Sequence, residues 1–286
     1  MIRMGRKYLI TGGTGILGYA LCDYLLNKNC EVVVLSRDKN KLDKLAKKYP
    51  QIDVVSGDVC DLNIIKKCMG DVSGVFHLAA LAQVIFAEDG VTESINTNLY
   101  GTLNVLNESL NLKNQIDFVL GVSSDKVVQV SGVYGATKFL MEKLFLEYEK
   151  KNNNINYRIV RCGNIFYSVD SVLQKWKSKI QNGQSITVTD RNATRFFMTL
   201  DDSVDLIFNC LKLAKSSLPY YYEMKSICIG DLLDVMCSKY KPDGGEVDVI
   251  EIGLQQGENL HEKLFINGKT SNETKRYTLD ELNNIL

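Results

Sequence analysis

Over about the first 160 residues, short apolar, β-branched runs alternate with longer segments in which apolar positions recur every three or four residues. The short runs, Lys7 to Thr11, Glu31 to Leu35, Ile52 to Ser56, Gly74 to His77, Asp117 to Gly121 and Asn156 to Arg161, predict strands. The longer segments, Gly15 to Asn27, Asn40 to Lys48, Asp61 to Cys68, Val91 to Leu112 and Gly132 to Lys150, predict helices. In the last of these, Tyr134, Lys138, Met141, Leu144, Phe145 and Tyr148 share one face. Strand and helix in alternation predict an α/β fold: a doubly wound parallel sheet, Rossmann-like, with helices on both faces.

After Arg161 the alternation fades. A helix is expected near Asp170 to Gln181, a strand over Ser185 to Thr189 and a helix over Asp201 to Lys215, with shorter elements beyond. No repeat or proline-rich linker divides the chain, so the later elements are expected to pack over the strand ends as a smaller C-terminal substrate lobe. The expected division gives residues 1–164 plus about 200–216 to a dinucleotide-binding domain, and about 165–199 and 217–286 to the lobe. The polar run Lys150 to Asn154 reads as a solvated helix end.

Composition narrows the classes of function. The 286 residues carry 34 Lys plus Arg against 34 Asp plus Glu, with no long basic block, so nucleic acid is not an expected partner. No run approaches the roughly 18 apolar residues of a membrane span. The chain enters its first strand without an apolar leader and cleavage site, so a cytoplasmic protein is expected. The eight cysteines form no Cys-x-x-Cys pair and read as reduced, mostly buried fillers; with two histidines in the chain, no metal centre is expected.

The first strand runs into Thr11-Gly12-Gly13-Thr14-Gly15-Ile16-Leu17-Gly18 and then a helix. Gly12 permits the tight turn, Gly15 lets backbone approach a pyrophosphate, Gly18 packs helix on strand, and the helix N-terminus offers N–H groups and a positive dipole. This is a dinucleotide-binding turn. An NAD site usually ends its second strand on an acidic residue; here Leu35-Ser36-Arg37-Asp38 offers Ser36 and Arg37, a hydroxyl and a guanidinium suited to a 2′-phosphate, so NADP is the expected cofactor. Asp38, one residue on, keeps NAD open.

Tyr134-Gly135-Ala136-Thr137-Lys138 puts a phenol and an ammonium one helical turn apart. A free phenol titrates near about 10, and a neighbouring ammonium together with a cationic nicotinamide is expected to lower it, making Tyr134 an acid or base at neutral pH. Behind a dinucleotide turn, that pattern points to hydride transfer at a carbinol.

At these residues the sequence resembles the extended short-chain dehydrogenase/reductase family, and within it the inverting UDP-N-acetylglucosamine 4,6-dehydratases. Ser123-Ser124-Asp125-Lys126 follows the fifth strand with Tyr134 a short loop away; Thr97-Asn98, Cys162-Gly163-Asn164, Thr194-Arg195-Phe196, Thr199-Leu200-Asp201 and Gly257-Glu258-Asn259-Leu260-His261-Glu262 also match. The resemblance implies a catalytic set of Ser124, Asp125, Lys126, Tyr134 and Lys138. Tyr134, helped by Ser124, removes the proton of the sugar 4-hydroxyl as hydride leaves C4, and Lys138 holds the ribose. Lys126, if its pKa is depressed by burial or by Lys138, removes the C5 proton. Asp125, kept protonated by desolvation, releases the 6-hydroxyl as water, and reprotonation of C5 on the opposite face yields a 6-deoxy-4-keto L-sugar.

The resemblance further implies a cofactor groove of Gly12, Thr14, Gly15, Ile16, Leu17, Gly18, Ser36, Arg37, Asp58, Val59, Ala79 and Ala80 with Tyr134 and Lys138. It implies UDP-sugar contacts from Asn164, Arg195 and Glu262, and a homo-oligomer paired through the helices at 91–112 and 132–150. The structural alternative for Glu262 stays open, and His77 is expected to pack or bond at a strand end. Leu81 to Ile85 lacks the lysine, histidine and proline usual in the family, and Cys162 and Asn259 also depart from it, which bears on the sugar. A nucleotide-sugar 4-epimerase or reductase shares the oxidation machinery without needing Asp125 and Lys126; an NADP-binding sensor is the reading from another class.

Overall fold

A computed structural model describes residues 2–112, 115–152, 154–167, 172–242 and 245–286. Strands β1 (Lys7–Thr11), β2 (Glu31–Ser36), β3 (Asp53–Ser56), β4 (Gly74–His77), β5 (Phe118–Ser124) and β6 (Asn156–Cys162) form a parallel sheet in the order β3-β2-β1-β4-β5-β6. Covered on both faces, its inner strands are continuous apolar runs such as Val32-Val33-Val34-Leu35 rather than alternating ones.

The connecting helices are α1 (Ile16–Asn27), α2 (Lys39–Lys48), α3 (Leu62–Met69), α4 (Val84–Asp89), α5 (Val91–Ile95), α6 (Gly101–Asn111) and α7 (Val133–Lys151). Side-chain caps fix two starts: Asp38 accepts from Lys41 N at 3.0 Å, and Asp61 accepts from Asn63 N at 2.8 Å. The chain continues through β7 (Asn164–Ile165), α8 (Val172–Gln181), β8 (Ile186–Val188), β9 (Thr194–Met198), α9 (Leu200–Leu213), β10 (Ser226–Cys228), α10 (Ile229–Tyr240), β11 (Val249–Glu251) and α11 (Leu279–Ile285).

Helices α1 and α9 cover one face of the sheet through Leu21, Leu25, Ile207 and Cys210. On the other face α3, α6 and α7 place Ile65, Val105, Met141 and Phe145 against Val75, Val119 and Ile159. A third core, with Trp176, Ile180, Phe197, Leu232, Met236 and Leu282, joins the small sheets β10-β9-β7 and β11-β8 to α8, α10 and α11.

The helix expected over Val91 to Leu112 is in fact broken: α5 passes into a π-turn at Asn96–Tyr100 before α6 begins, and α4 precedes them. The break accompanies a buried tie. Asn98 Oδ1 accepts from Leu81 N at 2.8 Å, while its Nδ2 donates to Leu81 O at 3.3 Å and Thr137 Oγ1 at 3.0 Å. Strand β5 runs on to Ser124, three residues beyond its expected end, so the Ser123-Ser124-Asp125-Lys126 sequence starts on the strand itself. Asp170, the expected start of the next helix, lies outside the described residues.

The eight cysteines are free thiols; Cys22, Cys30, Cys68, Cys162 and Cys210 are buried. Among the described residues no cluster of His, Cys, Asp and Glu could hold a metal ion, and no helix is long and apolar enough to cross a membrane.

Candidate active site

The connections from β1 and β4 lead to opposite sides of the sheet, so a crevice opens at the carboxyl ends of these adjacent strands, where ligands of doubly wound sheets bind. Gly12 turns the chain there with φ of +67°, and a Cβ on it would lie 2.7 Å from Ala79 N. Gly18 is as constrained, since its Cβ would meet Gly13 O at 2.4 Å. Thr14 Oγ1 pairs with Ser36 Oγ at 2.7 Å, tying the turn to the end of β2.

From this turn a groove extends both ways. One arm, a cavity of about 480 Å³, is lined by Gly12, Thr14, Gly15, Ser36, Arg37, Asp58, Val59, Ala79 and Ala80, all expected cofactor contacts. Lys41, Gln83, Phe86 and Thr97 line it too and were not foreseen. Lys41 could have been found, because it stands one turn after Arg37 at the start of a helix. The other arm, about 250 Å³, is lined by Ile16, Leu17, Gly18, Val122, Tyr134 and Lys138, and shares Gly12, Gly15, Leu78, Ala80 and Ala82 with the first. A dinucleotide fits this shape. The walls are backbone and small residues, no acidic residue occupies the first turn of α1, and two cations stand at the far end.

Arg37 is half exposed and pairs with Glu93 at 3.0 Å and Asp58 at 3.7 Å, while Asp38 is committed to capping α2. His77 is an inner support. Its Nδ1 meets Thr11 Oγ1 at 2.8 Å, its Nε2 meets Thr102 Oγ1 at 2.9 Å, and burial, with help from the Lys138 charge, pushes its pKa down to about 3.

On the catalytic side, Ser124 ends β5 and caps the short helical turn Asp125–Val127. Its Oγ donates to Asp125 Oδ1 at 2.9 Å and also hydrogen-bonds the Tyr134 hydroxyl. Lys126 Nζ lies 3.1 Å from Asp125 Oδ1 and 3.5 Å from Glu262 Oε1. Lys138 Nζ donates to Val122 O at 2.7 Å and to Met141 Sδ at 3.7 Å, leaving one N–H group for a ligand. One helix and one turn thus bring Ser124, Asp125, Lys126, Tyr134 and Lys138 together at the end of β5.

Glu262 arrives from the lobe. Its backbone N donates to Ser271 Oγ at 2.9 Å, and its Oε2 accepts from Asn259 Nδ2 at 3.2 Å. Arg195, on β9, gives Nη1 to Thr194 O at 3.0 Å and Leu260 O at 3.1 Å. Asn164 donates Nδ2 to Phe196 O at 3.0 Å.

Two expectations about charge are corrected. Burial opposes the Lys126 ammonium, but the Asp125 and Glu262 carboxylates outweigh it, and its pKa lies above the ordinary lysine value, not below. Tyr134 is pushed up to about 12 by burial, against the pull of a cation and the Ser124 hydrogen bond, and that cation is Lys126 rather than Lys138. Lys138 itself, buried, falls to about 8. Sequence reasoning also missed the buried pair Arg161–Glu142, at 2.7 Å, which receives the Ser123 hydroxyl at 2.6 Å and ties α7 to β5 and β6.

The profile of a family described as "Polysaccharide biosynthesis protein" matches residues 8–282. The chain belongs to that polysaccharide-biosynthesis family. It is 31% identical over 268 residues to a protein of Rickettsia canadensis named UDP-glucose 4-epimerase, covering 91% of this chain and 77% of the relative. A Methanocaldococcus jannaschii relative, 32% identical over 97% of this chain and 84% of its own, is described as an uncharacterized membrane protein. Among solved structures, Pen from Bacillus thuringiensis superposes with a TM-score of 0.92 at 28% identity, covering all of this chain and 98% of that one. The α/β fold of this polysaccharide-biosynthesis family member is therefore shared nearly end to end with a solved structure, as the resemblance to extended short-chain dehydrogenases/reductases implies.

Proposed function

We propose that this protein is a nucleotide-sugar 4,6-dehydratase acting on UDP-N-acetylglucosamine with inversion at C5, using tightly held NADP, for glycan precursor synthesis. The observation that carries this reading is the ion pair of buried Asp125 with half-buried Lys126, directly after Ser124 and close enough to Tyr134 to act on its charge. Oxidation at C4 needs only Ser124, Tyr134 and Lys138; a second acid-base pair has work to do only if a proton leaves C5 and water leaves C6.

Held in the groove lined by Gly12, Gly15, Tyr134 and Lys138, the cofactor would supply hydride-transfer chemistry between C4 and C6 of the sugar. Tyr134, as phenolate, takes the proton of the 4-hydroxyl while Ser124 holds its oxygen; Lys126 beside it, and the charge of the oxidised ring, favour that phenolate. Lys138 offers its remaining N–H group to the cofactor ribose. Lys126, after handing a proton to Asp125 across 3.1 Å, removes the C5 proton, and Asp125 delivers the acquired proton to O6. In this scheme the high resting affinity of Lys126 for its proton is lowered by neutralising Asp125, not by burial alone.

Residues 1–164 with about 200–216 form the cofactor domain in this reading, and the remainder the sugar-nucleotide lobe. Ser36, Arg37 and Lys41 would hold the 2′-phosphate, and Asp58 and Val59 the adenine. Arg195, with donors beyond the Nη1 already committed, would meet the diphosphate, and Asn164 would offer its Oδ1. Ile85, Phe86, Val91, Ile95, Phe139 and Leu140 are exposed apolar residues on α4, α5 and α7, which supports pairing of copies there. A cytoplasmic location remains part of the proposal.

A second reading, nucleotide-sugar 4-epimerase, is favoured by the name of the Rickettsia relative. Proton NMR of UDP-N-acetylglucosamine with the protein in heavy water, without added reductant, separates them. A C6 methyl signal, deuterium at C5 and L-ring couplings are expected. A C4 epimer with intact C6 hydroxyl overturns the dehydratase, and a methyl on a D-configured ring overturns inversion. The Lys126→Ala variant is expected to keep NADP and lose the methyl product; full activity would remove Lys126 from the chemistry.

A further inference from the structure

Lys126 touches two carboxylates, and an acid-base pair needs only one. Asp125, next in the chain, supplies the first at 3.1 Å; Glu262, from the far end of the chain, supplies the second at 3.5 Å. Both acids are 1% exposed, so neither is a surface partner that water could replace. Asp125 Oδ1 is occupied by Ser124 and Lys126, while Oδ2 has no hydrogen-bond partner although buried, which leaves one acid oxygen free to carry a proton to a ligand.

We propose that Glu262 is a positioning residue that keeps Lys126 paired with a negative charge at the stage of the reaction when Asp125 is protonated. The inference rests on the dehydratase reading above and follows from counting charges. With both acids ionised the cluster holds one ammonium and two carboxylates; burial raises the Glu262 pKa, and the Lys126 and Arg195 charges beside it pull the other way. Transfer of a proton from Nζ to Asp125 leaves an amine, a neutral acid and the Glu262 carboxylate. The amine lone pair then bonds the C5 proton, the C5–H pair passes into the enolate of the 4-ketone, and Lys126 is an ammonium again. Asp125 now protonates O6, the C6–O6 bond breaks with its electron pair going to water, and the enolate pair becomes the C5=C6 bond.

Between the last two steps Asp125 is neutral. The charged and titratable groups around Nζ are then Glu262, the Arg195 guanidinium and the Tyr134 phenol. Arg195 opposes the ammonium, so without Glu262 a newly formed cation would sit buried beside a like charge. Asn259 holds Glu262 Oε2, aiming Oε1 at Lys126. A carboxylate serving chiefly as a sugar hydroxyl acceptor would gain nothing from that clamp.

The test compares holoenzyme of wild type, Glu262→Gln and Glu262→Asp with UDP-N-acetylglucosamine in heavy water. The Gln variant keeps an acceptor for Asn259 and turns an amide NH2 toward Lys126 in place of Oε1, so it loses the charge and that contact together. It is expected to form C6 methyl product about 10²-fold more slowly, with KM changed less than about threefold. Reduced-nicotinamide absorbance should still rise in a single turnover, because C4 oxidation does not use Glu262. Removing an anion beside Lys126 also moves the Lys126 limb of the pH–rate profile toward acid, and the Asp variant, which keeps the charge, should recover most of the rate.

Wild-type dehydration by the Gln variant, or a loss in KM alone, overturns the role and makes Glu262 a sugar contact. If wild type itself gives no methyl product, the dehydratase reading fails and this inference with it; if wild type gives the product, only the role of Glu262 is at stake. Should the Gln variant not fold, the Asp variant decides: a moderate fall in methyl formation at constant KM supports the role, and a rise in KM alone overturns it.

Discussion

Gly135, between Tyr134 and Lys138 on α7, sits where that helix crosses the short turn Asp125–Val127. A Cβ built on it lies 2.4 Å from the carbonyl oxygen of Lys126 and 3.3 Å from its carbonyl carbon. Ordinary contact begins near 3.4 Å, so Gly135→Ala must open about 1 Å between α7 and residues 125–127. The obstacle is backbone and cannot rotate aside. Alanine favours a helix over glycine by up to about 1 kcal/mol, whereas overpacking of this kind costs about 1–3 kcal/mol, so the net destabilisation is about 0–2 kcal/mol. The reaction is far less tolerant: a displacement of about 1 Å between acid-base groups costs about 10²-fold in rate, near 2.7 kcal/mol of barrier. Gly135→Ala is therefore expected to retain NADP and melt within a few degrees of wild type, yet form product about 10²-fold more slowly. Melting by circular dichroism, cofactor content by absorbance and turnover by NMR measure the three quantities on one sample. Unchanged turnover would refute the contact, and a variant that loses cofactor and fold together would refute the claim that the damage is local.

Two further outcomes follow from the groove and its support. Arg37→Ala and Lys41→Ala should each weaken NADP binding about tenfold or more while changing NAD binding less than about threefold, read by fluorescence titration; equal losses for both cofactors would place the 2′-phosphate elsewhere. For His77, the folded pKa of about 3 lies below the ordinary 6.5, so neutral histidine is the folded form. Its contribution is complete above pH 6.5 and is lost as pH falls from there toward 3, because the unfolded chain takes up a proton the folded chain refuses. The slope is up to about 1.4 kcal/mol per pH unit. Urea unfolding at pH 7, 6 and 5 should show this decline, and His77→Gln, which can still bridge Thr11 and Thr102, should flatten it; identical slopes would mean that His77 titrates normally.

The periodicity located the six parallel strands because the inner ones, β2, β1, β4 and β5, are buried along most of their length, while the half-exposed edge strand β3 shows as the short run Val54-Val55 between polar residues. It could not locate the π-turn at Asn96–Tyr100. Val91, Ile95, Val105 and Leu106 keep a helical spacing across it, and the inward tie of Asn98 uses Leu81 and Thr137, which lie elsewhere in the chain. The groove was legible for a related reason. The glycines at 12, 15 and 18 do their work within one βα turn, and Tyr134 and Lys138 within one helical turn, so local spacing carries the signal.

The sign of the charge environment at Lys126 shows where that legibility stops. From sequence, a lysine behind a buried strand, near another lysine, reads as one whose pKa is lowered. In the fold Lys138 turns its Nζ to the Val122 carbonyl, and Lys126 turns instead to Asp125 and to a glutamate delivered by the lobe. No local pattern encodes that meeting, because it depends on the β9 segment and residues 259–271 forming one hydrogen-bonded block, with Thr194 Oγ1 2.6 Å from Ser271 Oγ and Arg195 bonded to Leu260 O. The Asp125–Val127 turn therefore takes its position from the six-stranded sheet and part of its electrostatics from Glu262, far along the chain. Any change that loosens the block, Ser271→Ala among them, should alter the acid-base step before it alters cofactor binding.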